Sequence, residues 1–181
     1  MIWRGNVLES VAGERLAVVT GATDAAGAGG AADVGGAAGS ATAAGDASGD
    51  AGRPHLRDAD VGPADAGDVL RFGEHVLRFT SVDPTHLRAV SETGEVFSLR
   101  KRSWTVARYE ANCGGRVYAA DKRGIRGRRE VRDAVGTIIA VTAPRANGDL
   151  ALDVRGELTL DLVCISWALT YVDANARRTL Y

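Results

Sequence analysis

Cysteine, proline, histidine and aromatic side chains are all scarce in this chain: 2 Cys, 4 Pro, 3 His, 3 Trp, 4 Tyr and 3 Phe among 181 residues. Two cysteines, Cys113 and Cys164, are too few for a disulfide framework or a multi-cysteine metal site, which fits a reducing cytoplasm. The three histidines, His55, His75 and His86, are scattered without metal-ligand spacing. No Gly-x-Ser-x-Gly turn and no Walker loop occurs, so the motifs of common hydrolases and nucleotide enzymes are missing. These absences point to a non-enzymatic protein without cofactor or metal. Long apolar runs are missing too. The N-terminus places Glu9, Glu14 and Arg15 where an export signal needs an apolar core. The most apolar stretch, near the C-terminus, covers about 15 residues and includes Asp161, Ser166 and Thr170, whereas a spanning helix needs about 20.

What is abundant is small and flexible. Residues 21–52 are almost entirely Ala, Gly, Asp, Ser and Thr. A segment with so little apolar surface cannot offset the entropy of ordering, so 21–66 reads as a disordered loop or linker. Repeated glycine, at about 1 kcal/mol each, opposes a long Ala-rich helix there. The formal net charge of −1 hides an asymmetry. Residues 1–66 hold 4 basic and 9 acidic side chains, and residues 67–181 hold 18 and 14. All but Lys101 and Lys122 of the basic residues are Arg, as in chains from GC-rich genomes.

Beyond the low-complexity segment the pattern is β. Short runs follow one another: Arg15–Thr20, Val69–Phe72, Val76–Ser81, His86–Ser91, Glu95–Arg100, Trp104–Tyr109, Arg116–Ala120, Arg128–Val131, Thr137–Ala143 and Leu150–Val154. Turn formers separate them, among them Phe72-Gly73-Glu74, Asp83-Pro84, Cys113-Gly114-Gly115, Asp133-Ala134-Val135-Gly136 and Ala146-Asn147-Gly148-Asp149. Strands of this length with such turns predict antiparallel hairpins in a barrel or sandwich. Val76 to Thr80 and Trp104 to Tyr109 alternate apolar and polar, which leaves one oily face to be covered. The cover is at hand. Residues 157–173 are apolar around most of a helix, with Glu157 at the start, where negative charge suits the macrodipole. The expected fold is therefore mainly β: a closed antiparallel barrel of about 10–12 strands around a hydrophobic C-terminal helix. Residues 1–20 contribute an N-terminal strand segment and residues 67–181 the barrel and helix 157–173.

The final third carries Gly124-Ile-Arg-Gly-Arg-Arg-Glu-Val-Arg-Asp-Ala-Val-Gly136. A strand, the Asn147-Gly148-Asp149 turn, another strand and the helix with Trp167 follow. This order resembles the end of a tubby C-terminal-like domain, the superfamily of tubby proteins, phospholipid scramblases and LURP-one-related proteins, in a compact prokaryotic form. The resemblance covers roughly residues 69–178. It implies a closed barrel of about twelve strands threaded by the C-terminal helix, and contact with phosphoinositide-like or other phospholipid.

Lys122, Arg123, Arg126, Arg128 and Arg129, with Arg132 close by, form the densest cationic cluster and could hold a phosphate or anionic headgroup through paired guanidinium hydrogen bonds. A solvated hairpin with Arg on its outer face has the same sequence. A smaller group, Arg100-Lys101-Arg102, precedes Trp104; it reads as a border of that surface, as support for an interfacial aromatic, or as a charged edge strand. Nucleic acid ranks below lipid as a partner, because few aromatics are interleaved with the cations. Cys164, between Val163 and Ile165, reads as a small buried hydrophobe. Asp161 is a buried functional carboxylate, or else an acid in the first helical turn that faces the barrel mouth or caps a backbone amide. The functional expectation is a binding protein that meets phospholipid headgroups or another anionic ligand, cytoplasmic or peripheral at the inner membrane surface. The alternative is a scaffold for another protein, with 21–66 as a tether.

Overall fold

The computed structural model describes residues 1–21, 67–105, 107–124 and 127–174. Twelve strands are present among them: β1 (Ile2–Arg4), β2 (Val7–Glu9), β3 (Arg15–Thr20), β4 (Val69–Phe72), β5 (His75–Asp83), β6 (His86–Ser91), β7 (Val96–Lys101), β8 (Arg108–Cys113), β9 (Arg116–Arg123), β10 (Arg128–Arg132), β11 (Ile138–Pro144) and β12 (Leu150–Val154). One helix, α1 (Leu160–Asp173), follows. Each strand pairs antiparallel with its neighbour in sequence, and β1 returns to β12 through Ile2 opposite Ala151 and Trp3 opposite Leu150, closing the barrel. Closure leaves no strand edge with unpaired backbone groups.

The period of two along each strand divides the wall into an inner and an outer face. Phe97 and Leu99 of β7 and Tyr109, Ala111 and Cys113 of β8 turn inward and are buried, as are their counterparts around the ring. Helix α1 fills the space they enclose. Every residue from Asp161 to Thr170 is buried, and the helix shares a single core cluster with residues from all twelve strands. A helix with no exposed side has no use for a polar face, which explains its nearly uniform apolar sequence. Trp167 packs on Phe79 at 4.2 Å between ring centroids and edge-on against Tyr171 at 4.9 Å. Trp3 Nε1 donates to Ser166 Oγ at 2.9 Å, so these two polar groups satisfy one another inside the core.

Strand direction defines two rims. The helix enters at the lower rim, after β12, and ends at the upper rim. The lower rim carries the β4–β5, β6–β7, β8–β9 and β10–β11 turns; the upper rim carries the β5–β6, β7–β8, β9–β10 and β11–β12 connections. In the β10–β11 turn Asp133 Oδ1 accepts from the amides of Val135 and Thr137, and Gly136 takes φ 87°, a conformation that favours glycine.

Several expectations need correction. Within the run Trp104–Tyr109, Trp104, Thr105 and Ala107 are not in a strand: Ser103 Oγ donates to the Thr105 carbonyl and accepts from the Arg108 amide, bracing a connection there, and β8 begins at Arg108. Cys113 is therefore a buried strand residue, not a loop residue. The helix starts at Leu160 instead of Glu157, because Thr159 is its N-cap and accepts from the Leu162 amide. Strands β1 and β2 escaped notice because three residues show no periodicity. The 21–66 segment lies, except for Gly21, outside the described residues. No described helix is long and apolar enough to cross a membrane.

The Trp167→Ala variant should lose about 3–5 kcal/mol of unfolding free energy, the range for deleting a fully buried aromatic, as measured by denaturant titration.

Candidate anion-binding rim

The strand ends bring the two cationic clusters together. Lys101 closes β7, Arg108 opens β8, Arg123 closes β9 and Arg128 opens β10, all at the upper rim. Register confirms the adjacency: Lys101 lies opposite Tyr109, Arg108 opposite Asp121, Lys122 opposite Arg129 and Arg123 opposite Arg128. The Lys122 amide donates to the Ala107 carbonyl at 2.7 Å, tying the β9 end to the connection that carries Trp104. Trp104 is 100% exposed. Beside it Thr85, Lys101, Arg102 and Ser103 line a shallow depression of about 460 Å³.

Not all of these cations are available. Arg100 and Arg102 share Glu110, at 3.2 and 3.0 Å, and Arg123 and Arg132 share Glu130, at 3.3 and 2.7 Å. The Arg132 guanidinium, with help from Arg123, holds the Glu130 carboxyl below its usual range. Lys101, Arg108, Lys122 and Arg128 make no ion pair among the described residues. Arg108 and Arg128 are exposed, while Lys101 and Lys122 are partly buried. Arg128 and Arg123 face each other across the strand pair, an unfavourable like-charge arrangement that an anion between them would relieve.

Arg129 does not belong to this surface. It shares the inward parity of Val131, is fully buried and grips Asp173 through Nε to Oδ2 and Nη2 to Oδ1, both 2.9 Å. Its Nη1 donates to the carbonyls of Ala120 at 3.0 Å and Ala107 at 3.2 Å, and its guanidinium lies 5.1 Å from the Tyr109 ring centroid. A carboxylate at a helix C-terminus opposes the macrodipole, so Asp173 needs this partner. Arg126 lies outside the described residues. Of the five residues expected to form the site, Lys122, Arg123 and Arg128 share the upper rim, and Arg129 anchors the core beneath it.

The lower rim holds a second polar group that the sequence did not reveal. Arg116 binds Asp161 through Nε at 2.6 Å and Nη2 at 2.9 Å, and Tyr118 donates its hydroxyl to Asp161 Oδ2 at 2.6 Å. Asp161 is thus a buried acid at the barrel mouth whose oxygens take side-chain donors; the backbone cap is Thr159. Its hydrogen bond raises the Arg116 guanidinium, and burial, followed by the same carboxylate, pushes the Tyr118 phenol up to about 12. The group borders a cleft of about 450 Å³ that also exposes Glu74, His75, Glu92 and Glu95. Burial likewise pushes Cys164 up to about 12, so it stays an unreactive thiol.

The architecture is that of a closed antiparallel barrel filled by its own C-terminal helix, with polar clusters at both rims. No family model, curated protein or solved structure matches the chain.

Asp173→Asn should destabilise the protein by about 3–5 kcal/mol, because Arg129 is left as an uncompensated buried charge, whereas the paired Arg129→Met/Asp173→Leu change should restore most of it. Chemical denaturation of the three proteins tests this. The Tyr118 phenol predicts an alkaline effect. The unfolded chain releases that proton near pH 10, whereas the folded one holds it to about pH 12. Stability present below pH 10 is therefore lost as pH rises to 12. Tyr118→Phe should show a shallower fall in this window by thermal melting, and an unchanged slope would contradict it.

Proposed function

We propose that this protein is a non-enzymatic binding protein that contacts the phospholipid headgroups of an anionic membrane surface with its upper rim. The observation that carries this reading is a fully exposed Trp104 on the same rim as four cations that make no ion pair among the described residues, Lys101, Arg108, Lys122 and Arg128. Indole rings favour the headgroup level of a bilayer, where the apolar body and the polar N–H are both accommodated. A solvated hairpin accounts for the arginines but gives no reason to present a tryptophan wholly to water.

Magnitudes make such binding weak and reversible. Each cation near an anionic leaflet contributes about 1 kcal/mol, so four contribute about 4 kcal/mol. Partial burial of the indole adds about 2 kcal/mol. The total corresponds to a dissociation constant between micromolar and millimolar. Two thirds of it is electrostatic and subject to screening by salt. The resemblance to the tubby-like group, including its scramblase and LURP-one-related branches, supports the same reading, and a cytoplasmic protein peripheral at the inner membrane surface is its natural setting.

Liposome flotation tests the proposal. The wild-type protein should float with vesicles containing phosphatidylserine at low salt, remain in the pellet with phosphatidylcholine alone, and be released at high salt. Lys122→Glu/Arg128→Glu should abolish flotation, and Trp104→Ala should weaken it by about tenfold or more, the equivalent of at least about 1.4 kcal/mol. Failure of the wild-type protein to float at low salt would overturn the reading in favour of a protein-binding scaffold.

A further inference from the structure

The connection that carries Trp104 is held by the same guanidinium that holds the end of the central helix. Nε and Nη2 of Arg129 are committed to Asp173, the last residue of α1. Nη1 reaches the Ala107 carbonyl, three residues beyond Trp104, and the Ala120 carbonyl on β9. That Ala107 carbonyl also accepts the Lys122 amide, and the Arg102 amide donates to the Arg108 carbonyl across the base of the connection. One fully buried side chain thus joins three parts of the molecule: the helix end, the β9 wall and the root of the exposed indole.

Stability alone gives a poor reason for this arrangement. A buried ion pair is often no more stabilising than apolar residues of the same volume, because desolvating the charges offsets their attraction. What a planar, multiply donating guanidinium supplies, and an apolar side chain or an ammonium does not, is fixed geometry at several acceptors at once. We infer that Arg129 is a positioning residue: it fixes the root of the Trp104 connection to the central helix, so that the indole is presented at a set height above the cationic rim. The importance of that height rests on the lipid-binding reading above, whereas the coupling itself does not.

The coupling can be read without lipid. In Arg129→Met/Asp173→Leu, amide hydrogen exchange at Arg102, Arg108 and Lys122 should quicken at least tenfold, while amides of β2 to β6 keep their protection. Arg129→Lys keeps the charge opposite Asp173 without the fork. It should show the same local loosening, and serves if the double variant does not fold. Exchange that is unchanged at those three amides, or that rises equally around the barrel, would overturn the inference and leave Arg129 a stabilising residue only.

Flotation adds a readout that a stabilising role would not move. Trp104→Ala should weaken binding in the wild-type background by about tenfold but produce less than a twofold change in the Arg129→Lys background, with the salt dependence preserved. Equal effects in both backgrounds would count against the inference. Local loosening in a protein that never floats would support the coupling and remove the lipid reading, so the two fail separately.

Discussion

A helix that is apolar on every side must be surrounded, and the rest of this molecule follows from that requirement. No single sheet face can cover α1, so the wall has to curve round until β1 meets β12. Once closed, the barrel presents an interior that the helix alone can fill, and the two become conditional on one another. The hydrophobic effect that drives this burial has no direction. An oily cylinder inside an oily tube could slide or rotate at little penalty, and polar contacts prevent it. Asp161 and Asp173 stand twelve residues apart, about 18 Å along the axis, and each is gripped by two nitrogens of one arginine, Arg116 below and Arg129 above. Between them, Trp3 fixes the rotation through Ser166.

This division of labour explains what could be read in the sequence. The closed barrel and its helix were legible because burial and turn geometry leave local, periodic marks: alternation in β5, the Asp133 to Gly136 turn, the wholly apolar run before Asp173. Long-range polar pairing leaves none. Arg116 and Asp161, or Arg129 and Asp173, lie more than forty positions apart, and nothing in either neighbourhood announces the other. Parity was the one available clue. Arg129 keeps step with Val131 while Arg128, Glu130 and Arg132 take the opposite phase, so an inward arginine could have been suspected from β10 alone. The stretch from Trp104 to Tyr109 misled because its alternation is genuine while the Thr105 carbonyl and the Arg108 amide bond to the Ser103 hydroxyl, and the strand begins only at Arg108.

The two rims divide the chemistry. The upper rim gathers cations that the wall does not neutralise and sets the exposed indole among them. The lower rim surrounds the helix entrance with Glu74, Glu92 and Glu95, next to the one arginine it spends on Asp161.

The pairing of β1 with β12 has a consequence for the order in which the chain can fold. Synthesis delivers β1 well before its partner β12 and the helix that fills the barrel, so neither closure nor core formation can precede the emergence of β12 and α1 from the ribosome. Until then, eleven or twelve strands hold an oily inner face with nothing to cover it, a state prone to aggregation. Sequential hairpins can form early, since each strand pairs with the next. The final step joins residues some 150 positions apart and takes in the helix, so completion waits on the longest chain closure in the barrel.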